Sequence, residues 1–154
     1  MADRDNEITT LNTLIATLID SVTGYEDAAA NIEVGRFQQL FRERAGERQR
    51  VVEELRAEVR RLGGNPEDDG SFLGKTHQRF LDLKAAITGR DEKAIINEVE
   101  RGEDYLKEKF QTALDSGYLS GESRSAVERA YQSVRSGHDQ ISQLKHGLEA
   151  RSDG

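Results

Sequence analysis

The sequence predicts an all-α protein, a bundle of four long helices arranged as two hairpins with a long crossover between them. Apolar residues recur at steps of three and four along four segments, which is the spacing that gives a helix one buried face. The connections between the segments are short, long and short in turn, and short connections make antiparallel neighbours. A single proline and a charged content of 33% are typical of a mostly helical soluble domain.

Length and charge narrow the class of protein. The chain of 154 residues is long enough to bury one core, and we assign residues 1–154 to a single domain with its core from about 6 to 149. A net charge of −7, without a basic stripe to offset it, argues against nucleic acid as a partner. The helix faces lack a basic amphipathic surface and no apolar stretch approaches transmembrane length, so no membrane partner is expected.

Two further features concern the cellular compartment and thiol chemistry. The sequence contains no cysteine, which excludes disulfides and thiolate metal sites. Its N-terminus lacks the apolar run of a signal peptide. We therefore expect a cytoplasmic protein.

The first hairpin joins two helices, predicted over residues 6–32 and 34–62. The second of them should stop at Gly63-Gly64-Asn65-Pro66, a left-handed cap followed by a proline. Two arginines, Arg44 and Arg48, lie one turn apart on its otherwise apolar face. Arginine rarely occupies a core position without a carboxylate partner, so both are candidates for a buried pair. In the alternative, their stems cover apolar surface while the guanidinium groups reach water.

The chain beyond this stop is predicted to cross the bundle before the second hairpin begins. Ser71 caps a shorter helix that ends at Thr88-Gly89, which places an additional helix in the crossover. We interpret His77 on that helix as a structural histidine. The second hairpin then has helices over about residues 91–114 and 120–148, followed by a frayed end.

Two ionisable residues interrupt the apolar stripes of the second hairpin. Glu103 lies four residues after Val99 and three before Leu106, inside the stripe of the third helix. His138 holds the same position between two apolar residues of the fourth helix. A carboxylate inside such a stripe must be paired, protonated or bound to metal, because a lone buried charge costs several kcal/mol.

The first helix contributes a carboxylate at the edge of its stripe. Glu26 lies four residues after Val22, whereas Asp20 points away from the stripe and is interpreted as a surface residue or a contact to another segment. Counting residues from the shared ends of the helices places one polar group of each helix within about one to two turns of the same depth. We therefore predict a buried polar layer formed by Glu26, Arg44, Arg48, Glu103 and His138.

Several motifs carry a resemblance that covers essentially the whole chain. They are Leu11-Asn12-x-Leu14-Ile15 followed by Asp20 and Tyr25, the Leu62-Gly63-Gly64-Asn65-Pro66 stop, Glu100-Arg101-Gly102-Glu103-Asp104, and His138-Asp139. With these motifs the chain resembles an uncharacterised bacterial family of ferritin-like four-helix-bundle proteins, a domain of unknown function. The resemblance implies a ferritin-like bundle whose crossover contains the additional helix, and it implies no particular reaction.

The wider ferritin-like group also supplies a metal-binding pattern for comparison. Its members that bind two metal ions use one Glu on each of two helices and a Glu-x-x-His on each of the other two. Glu-x-x-His occurs nowhere in this chain, and two arginines near the layer would oppose a divalent cation. Oxygen and imidazole ligands suit iron or manganese. The candidate metal ligands are the single-Glu matches Glu26 and Glu103, the histidine match His138, and Glu47.

The layer supports two functional hypotheses. If its carboxylates pair with the arginines, the chain is a non-enzymatic bundle protein that is stress-related or acts through protein contacts, with a homo-oligomer as a candidate assembly. If the ligands remain available, the chain is a divergent metal-binding protein with weak iron or manganese handling or oxidase activity. The first hypothesis is favoured because the ligand set is incomplete. The sequence itself requires no cofactor.

Overall fold

The structure, a computed structural model, describes residues 4–33, 35–68 and 92–153. These ranges contain four helices, α1 (Arg4–Asn31), α2 (Gly35–Arg61), α3 (Glu92–Asp115) and α4 (Gly121–Asp153), and no strand. The prediction of an all-α chain with four long helices is confirmed. The additional helix predicted between Ser71 and Thr88-Gly89, with His77, lies outside the described residues.

The helix ends follow from local sequence. Gly63 adopts a φ of 85°, and the amide of Gly64 donates to the carbonyl of Val59 at 2.9 Å, so α2 ends in the left-handed cap that its glycines predict. α4 extends to Asp153, beyond the predicted end at Leu148. Residues 149–153 contain neither glycine nor proline, so no helix breaker ends α4 earlier.

The segment that follows α2 is hydrogen-bonded to both helices of the first hairpin. The side-chain amide of Asn12 on α1 donates to the carbonyl of Asn65 at 3.0 Å and accepts from the amide of Glu67 at 2.8 Å. The guanidinium of Arg56 donates to the carbonyls of Glu67 at 3.1 Å and Asp68 at 3.0 Å. These bonds satisfy backbone groups that no helix can satisfy, and they fix the direction in which the chain departs.

Two contacts between helices establish the directions of the helices. The carboxylate of Glu7, near the start of α1, accepts from the amide of Ser120, just before α4, at 3.1 Å. Arg61, at the end of α2, donates to the hydroxyl of Ser123 at 3.2 Å. The starts of α1 and α4 and the ends of α2 and α3 therefore lie at one end of the bundle, which we call the Ser120 end. It follows that α2 and α3 run in the same direction.

The core consists of two apolar clusters, one above the other along the bundle. The lower cluster, nearer the Ser120 end, is built from residues of all four helices, including Leu14, Leu18, Val52, Leu55, Leu106, Phe110, Val127 and Val134. The upper cluster is also built from all four helices and includes Val22, Tyr25, Phe37, Phe41, Ile95, Ile96, Val99 and Ile141. Between the two clusters lies a level of polar residues, which is the candidate site.

Candidate functional site

Each helix contributes one residue to the level between the two clusters, and we call these four residues the polar layer. They are Ser21 of α1, Arg48 of α2, Glu103 of α3 and, without a side chain of its own, Gly137 of α4. Each of them falls on its helix at the spacing that otherwise places apolar residues in the core. Ser21, for example, lies three residues after Leu18 and four before Tyr25. The same periodicity that builds the two apolar clusters therefore carries the layer into the centre of the bundle.

The centre of the layer is an ion pair that crosses the bundle between α2 and α3. Arg48 is 0% exposed and Glu103 is 2% exposed. The guanidinium of Arg48 donates from Nη1 to Oε1 of Glu103 at 2.7 Å and from Nη2 to Oε2 at 2.5 Å. Nη1 also donates to the hydroxyl of Ser21 at 2.8 Å. This bidentate geometry, with two parallel hydrogen bonds, is the one in which a planar guanidinium best compensates the charge of a carboxylate.

The electrostatic surroundings keep Arg48 charged. Burial by itself lowers the pKa of the guanidinium because it removes the charge from water. The negative charge of Glu103 and its hydrogen bonds outweigh burial, and the pKa of Arg48 lies above its ordinary, already high value. Arg48 therefore stays charged, and its guanidinium is engaged with Glu103.

Tyr25 covers the pair from the side of the upper cluster. The centre of the Arg48 guanidinium lies 5.6 Å from the centroid of the Tyr25 ring, within the range of a cation–π contact. The Tyr25 hydroxyl is buried near the carboxylate of Glu103 and has no hydrogen bond of ordinary geometry in the part of the chain that the structure describes. Burial, and then the nearby charge of Glu103, raise the pKa of this hydroxyl well above its ordinary value.

Alkaline titration should reveal this shift. Because the folded protein holds the Tyr25 proton more tightly than the unfolded chain, its contribution to stability is complete below about pH 10, the pKa of an unfolded tyrosine. It is lost as the pH rises from there towards the folded pKa. We expect the ultraviolet absorbance of tyrosinate to show one late ionisation that coincides with unfolding, and Tyr25→Phe to remove it. If Tyr25→Phe keeps the late ionisation and instead loses one that occurs near pH 10, the raised pKa does not belong to Tyr25.

Gly137 allows α4 to approach the ion pair. A Cβ atom at this position would lie 2.5 Å from Nη2 of Arg48, 3.0 Å from Oε2 of Glu103 and 3.2 Å from Cζ of Arg44. Contacts below about 3.0 Å are repulsive for carbon, so no side chain fits without displacing the guanidinium groups. The glycine therefore forms one wall of the space that holds Arg48 and Glu103.

Glu26 does not join the layer, contrary to the prediction. It is exposed, in a shallow groove on the outside of the α1–α2 hairpin with Arg42, Ala45 and Gly46. Tyr25 occupies the inner position of this turn, and Ala45 and Gly46 beside Glu26 have little or no side chain to cover its carboxylate. Asp20, which we interpreted as a surface or contact residue, is buried.

His138 also lies outside the layer, because Gly137 occupies the inner position of that turn. The imidazole contacts α3 from the side, with Nε2 at 2.5 Å from Oδ1 of Asp104 and Nδ1 at 3.2 Å from Oδ1 of Asp139. Both aspartates are exposed. The prediction placed His138 beside Glu103, and the structure instead pairs it with the residue that follows Glu103.

Arg44 and Glu47 form a second, outer group between α2 and α4. Nη1 of Arg44 binds both carboxylate oxygens of Glu47, at 3.0 and 2.9 Å, and its Nη2 donates to Oε1 of Gln140 at 2.5 Å. The hydroxyl of Ser133 donates to Oε1 of Glu47. Arg44 therefore lies at the border of the layer, beside Gly137, and its charge is compensated by Glu47 rather than by Glu103.

The four candidate metal ligands lie apart from one another, and three of them have separate partners. Glu103 binds Arg48, Glu47 binds Arg44, His138 binds Asp104, and Glu26 is exposed in the groove beside Ala45 and Gly46. Within residues 4–33, 35–68 and 92–153, no group of three or more histidine, aspartate or glutamate side chains is placed to hold a metal ion. Among the same residues, no helix has an apolar stretch long enough to cross a membrane.

Comparison with protein families matches residues 6–116 to DUF2383, a domain of unknown function. This match covers more than two thirds of the 154 residues. The chain belongs to the DUF2383 family. No curated protein matches it. The DUF2383 match includes α1, α2 and α3, and hence Ser21, Arg48 and Glu103, and it ends before α4, which supplies Gly137.

The sequence predicted neither Ser21 as a member of the layer nor the inward position of Gly137 in place of His138. Ser21 occupies a core position of α1 at the same spacing that identified Glu103, but a serine there is too common to attract attention without its partner. Gly137 and His138 are consecutive, and both fit a spacing of three or four between Val134 and Ile141. Helical periodicity alone does not distinguish two adjacent positions on the border of a buried face.

Proposed function

We propose that this protein is a non-enzymatic helical bundle that acts through its surface, and that the polar layer fixes the relative positions of its helices. The observation that carries the proposal is the bidentate pairing of Arg48 with Glu103 in a buried space, which leaves only Nε of the guanidinium without a hydrogen bond among the described residues. A buried ion pair adds little stability compared with apolar residues of the same size. Its main effect is to favour one register of the helices over the alternative registers.

A change of register would separate Arg48 from Glu103. Sliding α2 by one turn moves its residues by about 5.4 Å along the bundle. Arg48 would then lie at the level where Ala45 or Val52 now packs in an apolar cluster, and Glu103 would lose its partner. Separating a buried pair in this way costs about 3–5 kcal/mol. This cost adds to the loss of close packing that a slip causes in any core, so the layer makes one register more stable than its neighbours.

We further propose that the bundle has the ferritin-like connectivity. Support comes from the parallel directions of α2 and α3, because the end of α2 lies at the Ser120 end and the start of α3 lies at the opposite end. With 24 residues, α3 is about 36 Å long, so the connection from α2 has to return along the whole bundle. A long connection between the second and third helices is the feature that defines that arrangement.

The residues present do not fit the metal centre that this fold often carries. Both oxygens of Glu103 are held by a permanently charged guanidinium, Glu47 and His138 bind other residues, and Glu26 is exposed outside the layer. A cation at Glu103 would have to displace Arg48 into an apolar core, where the orphaned charge costs several kcal/mol. The metal-binding alternative therefore has less support than the register-fixing layer.

Metal titration separates the two functions. We expect Fe(II) or Mn(II), added under anaerobic conditions to protein purified without chelator, to leave the Tm of the wild type and of Glu103→Gln unchanged. His138→Ala serves as a matched variant that removes a candidate ligand outside the layer. A rise in Tm with metal that is present in the wild type and absent from Glu103→Gln would overturn the proposal, because stabilisation by a ligand requires a site that exists in the folded state.

A further inference from the structure

A groove opens between α2 and α4 at the end of the bundle opposite the Ser120 end. Its volume is about 410 Å³, and its lining includes Phe37 and Leu40 of α2 and Leu144 and Gly147 of α4. Phe37 is buried in the upper cluster, while Leu40 and Leu144 are partly exposed and form the apolar walls. A Cβ atom at Gly147 would have no atom within 4 Å, so this side of the groove is open to an incoming side chain.

The rim of the groove carries one charge of each sign on α2. Arg36 and Glu43 both line the groove and are both exposed. They are seven residues apart, which is about two helical turns, so they lie on the same side of α2 with Leu40 between them. Arg36 lies over the Phe37 ring at 4.8 Å and pairs with no carboxylate in the described ranges. Glu43 accepts a hydrogen bond from the amide of Gln39 at 3.2 Å and pairs with no cation there.

We propose that this groove is the docking site of a second copy of the chain, related to the first by a two-fold axis. The axis passes between Gln39 and Leu40, and the two α2 helices cross it in opposite directions. Each Arg36 then faces Glu43 of the second copy, because the two residues are equally far from the axis, about 5 Å on either side. Each Leu40 enters the groove of the other copy beside Leu144 and the open side at Gly147.

The distribution of charge favours a second copy over an unrelated partner. In a two-fold interface the same patch meets itself, so a residue at one end contacts the residue at the other end in both directions. A patch with Arg36 at one end and Glu43 at the other is complementary to itself in that arrangement, and it forms two ion pairs. A groove with a rim of one sign would instead favour a partner of the opposite sign.

The groove and the polar layer are separate features of the bundle. The groove lies on the upper part of the bundle, and among the described residues neither Arg36 nor Glu43 is bonded to Arg48 or Glu103. The dimer specifies one partner, a second copy of the chain, for a protein that we propose acts through its surface. Failure of the dimer would leave the layer and its stability effects unchanged, so the two proposals fail separately.

Sedimentation velocity over a wide range of protein concentrations tests the dimer through charge exchange. Arg36→Glu alone and Glu43→Arg alone each place like charges opposite one another at both contacts, and each should raise the dissociation constant about tenfold or more. The double variant Arg36→Glu with Glu43→Arg restores two opposite-charge contacts in the same register. It should return the dissociation constant to within about threefold of the wild type.

A mixture of the two single variants gives the most specific test of the pairing between Arg36 and Glu43 of the two copies. One copy then carries two glutamates at the rim and the other two arginines, so that both contacts of the mixed pair are attractive. We expect the mixture to form a heterodimer although neither variant dimerises alone at the same concentration. Arg50→Glu, which makes the same charge change at an exposed residue of α2 outside the groove, should leave the dissociation constant unchanged. Circular dichroism checks that every variant remains helical.

The inference is overturned by either of two results. A wild-type protein that sediments as a monomer throughout the concentration range excludes this dimer. A dimer whose dissociation constant responds equally to Arg36→Glu and Arg50→Glu, or one that mixing the single variants does not restore, forms through another surface. Raising the salt concentration should also weaken the dimer, because exposed ion pairs are screened within about 8–10 Å at ordinary ionic strength.

Discussion

Glu103→Gln should lower the free energy of unfolding by about 3–5 kcal/mol, the largest effect of any isosteric change that we expect in this protein. The substitution keeps the size of the side chain and removes its charge, while Arg48 remains charged and fully buried. A glutamine offers one acceptor oxygen where the carboxylate offered two, and its amide group would face the guanidinium donor to donor. Urea denaturation followed by circular dichroism measures the loss.

A compensated variant and a surface control complete this experiment. Glu103→Leu combined with Arg48→Met removes both charges and should recover most of the loss, because no unpaired charge remains in the core. Glu108→Gln makes the same chemical change at an exposed residue of the same helix and should alter stability by no more than about 0.5 kcal/mol. If Glu103→Gln matches this control, or stabilises the protein, the ion pair does not have the role assigned to it.

Gly137→Ala should destabilise the protein by about 1–3 kcal/mol, even though alanine is the better helix former. The added Cβ would lie 2.5 Å from Nη2 of Arg48, which is held in place by Glu103 and Ser21 and cannot swing aside cheaply. Either α4 moves outward or the ion pair is distorted. Thermal and urea unfolding of the variant measure the net loss.

Gly46→Ala is the matched control for this substitution. Gly46 lies within α2, is exposed, and has no atom within 4 Å of a Cβ built on it. The same chemical change there should stabilise the protein by about 0.5–1 kcal/mol, because alanine loses less conformational entropy in a helix. The two substitutions should therefore have opposite signs. If both substitutions stabilise the protein, α4 can move away from Arg48 at little cost and stability does not depend on the close approach at Gly137.

Much of this architecture can be predicted from the sequence because helical periodicity is a strong signal over long segments. Four stripes of apolar residues and the glycine–proline stop after α2 define four helices and most of their ends. Glu103 and Arg48 could be identified as core residues because each lies within a stripe, several turns from either helix end. A charged residue there has few physical explanations, and pairing is one of them.

The borders of the buried faces could not be predicted in the same way. Whether Glu26 is covered depends on the residues of α2 that pack beside it, and Ala45 and Gly46 leave it open. Whether Gly137 or His138 faces the core depends on the rotation of α4 about its own axis. That rotation is set by the packing of all four helices together, to which the periodicity of one helix contributes only part.

Each hairpin of the bundle carries one half of the buried ion pair. The α1–α2 hairpin presents Arg48 on its apolar face, and the α3–α4 hairpin presents Glu103. Two copies of the first hairpin that met face to face would bury two arginines, and two copies of the second would bury two glutamates. Only the unlike hairpins cancel their charges on docking. During folding, when both faces are still open, this asymmetry should favour association of the two halves of one bundle and discourage aggregation of identical halves from different chains.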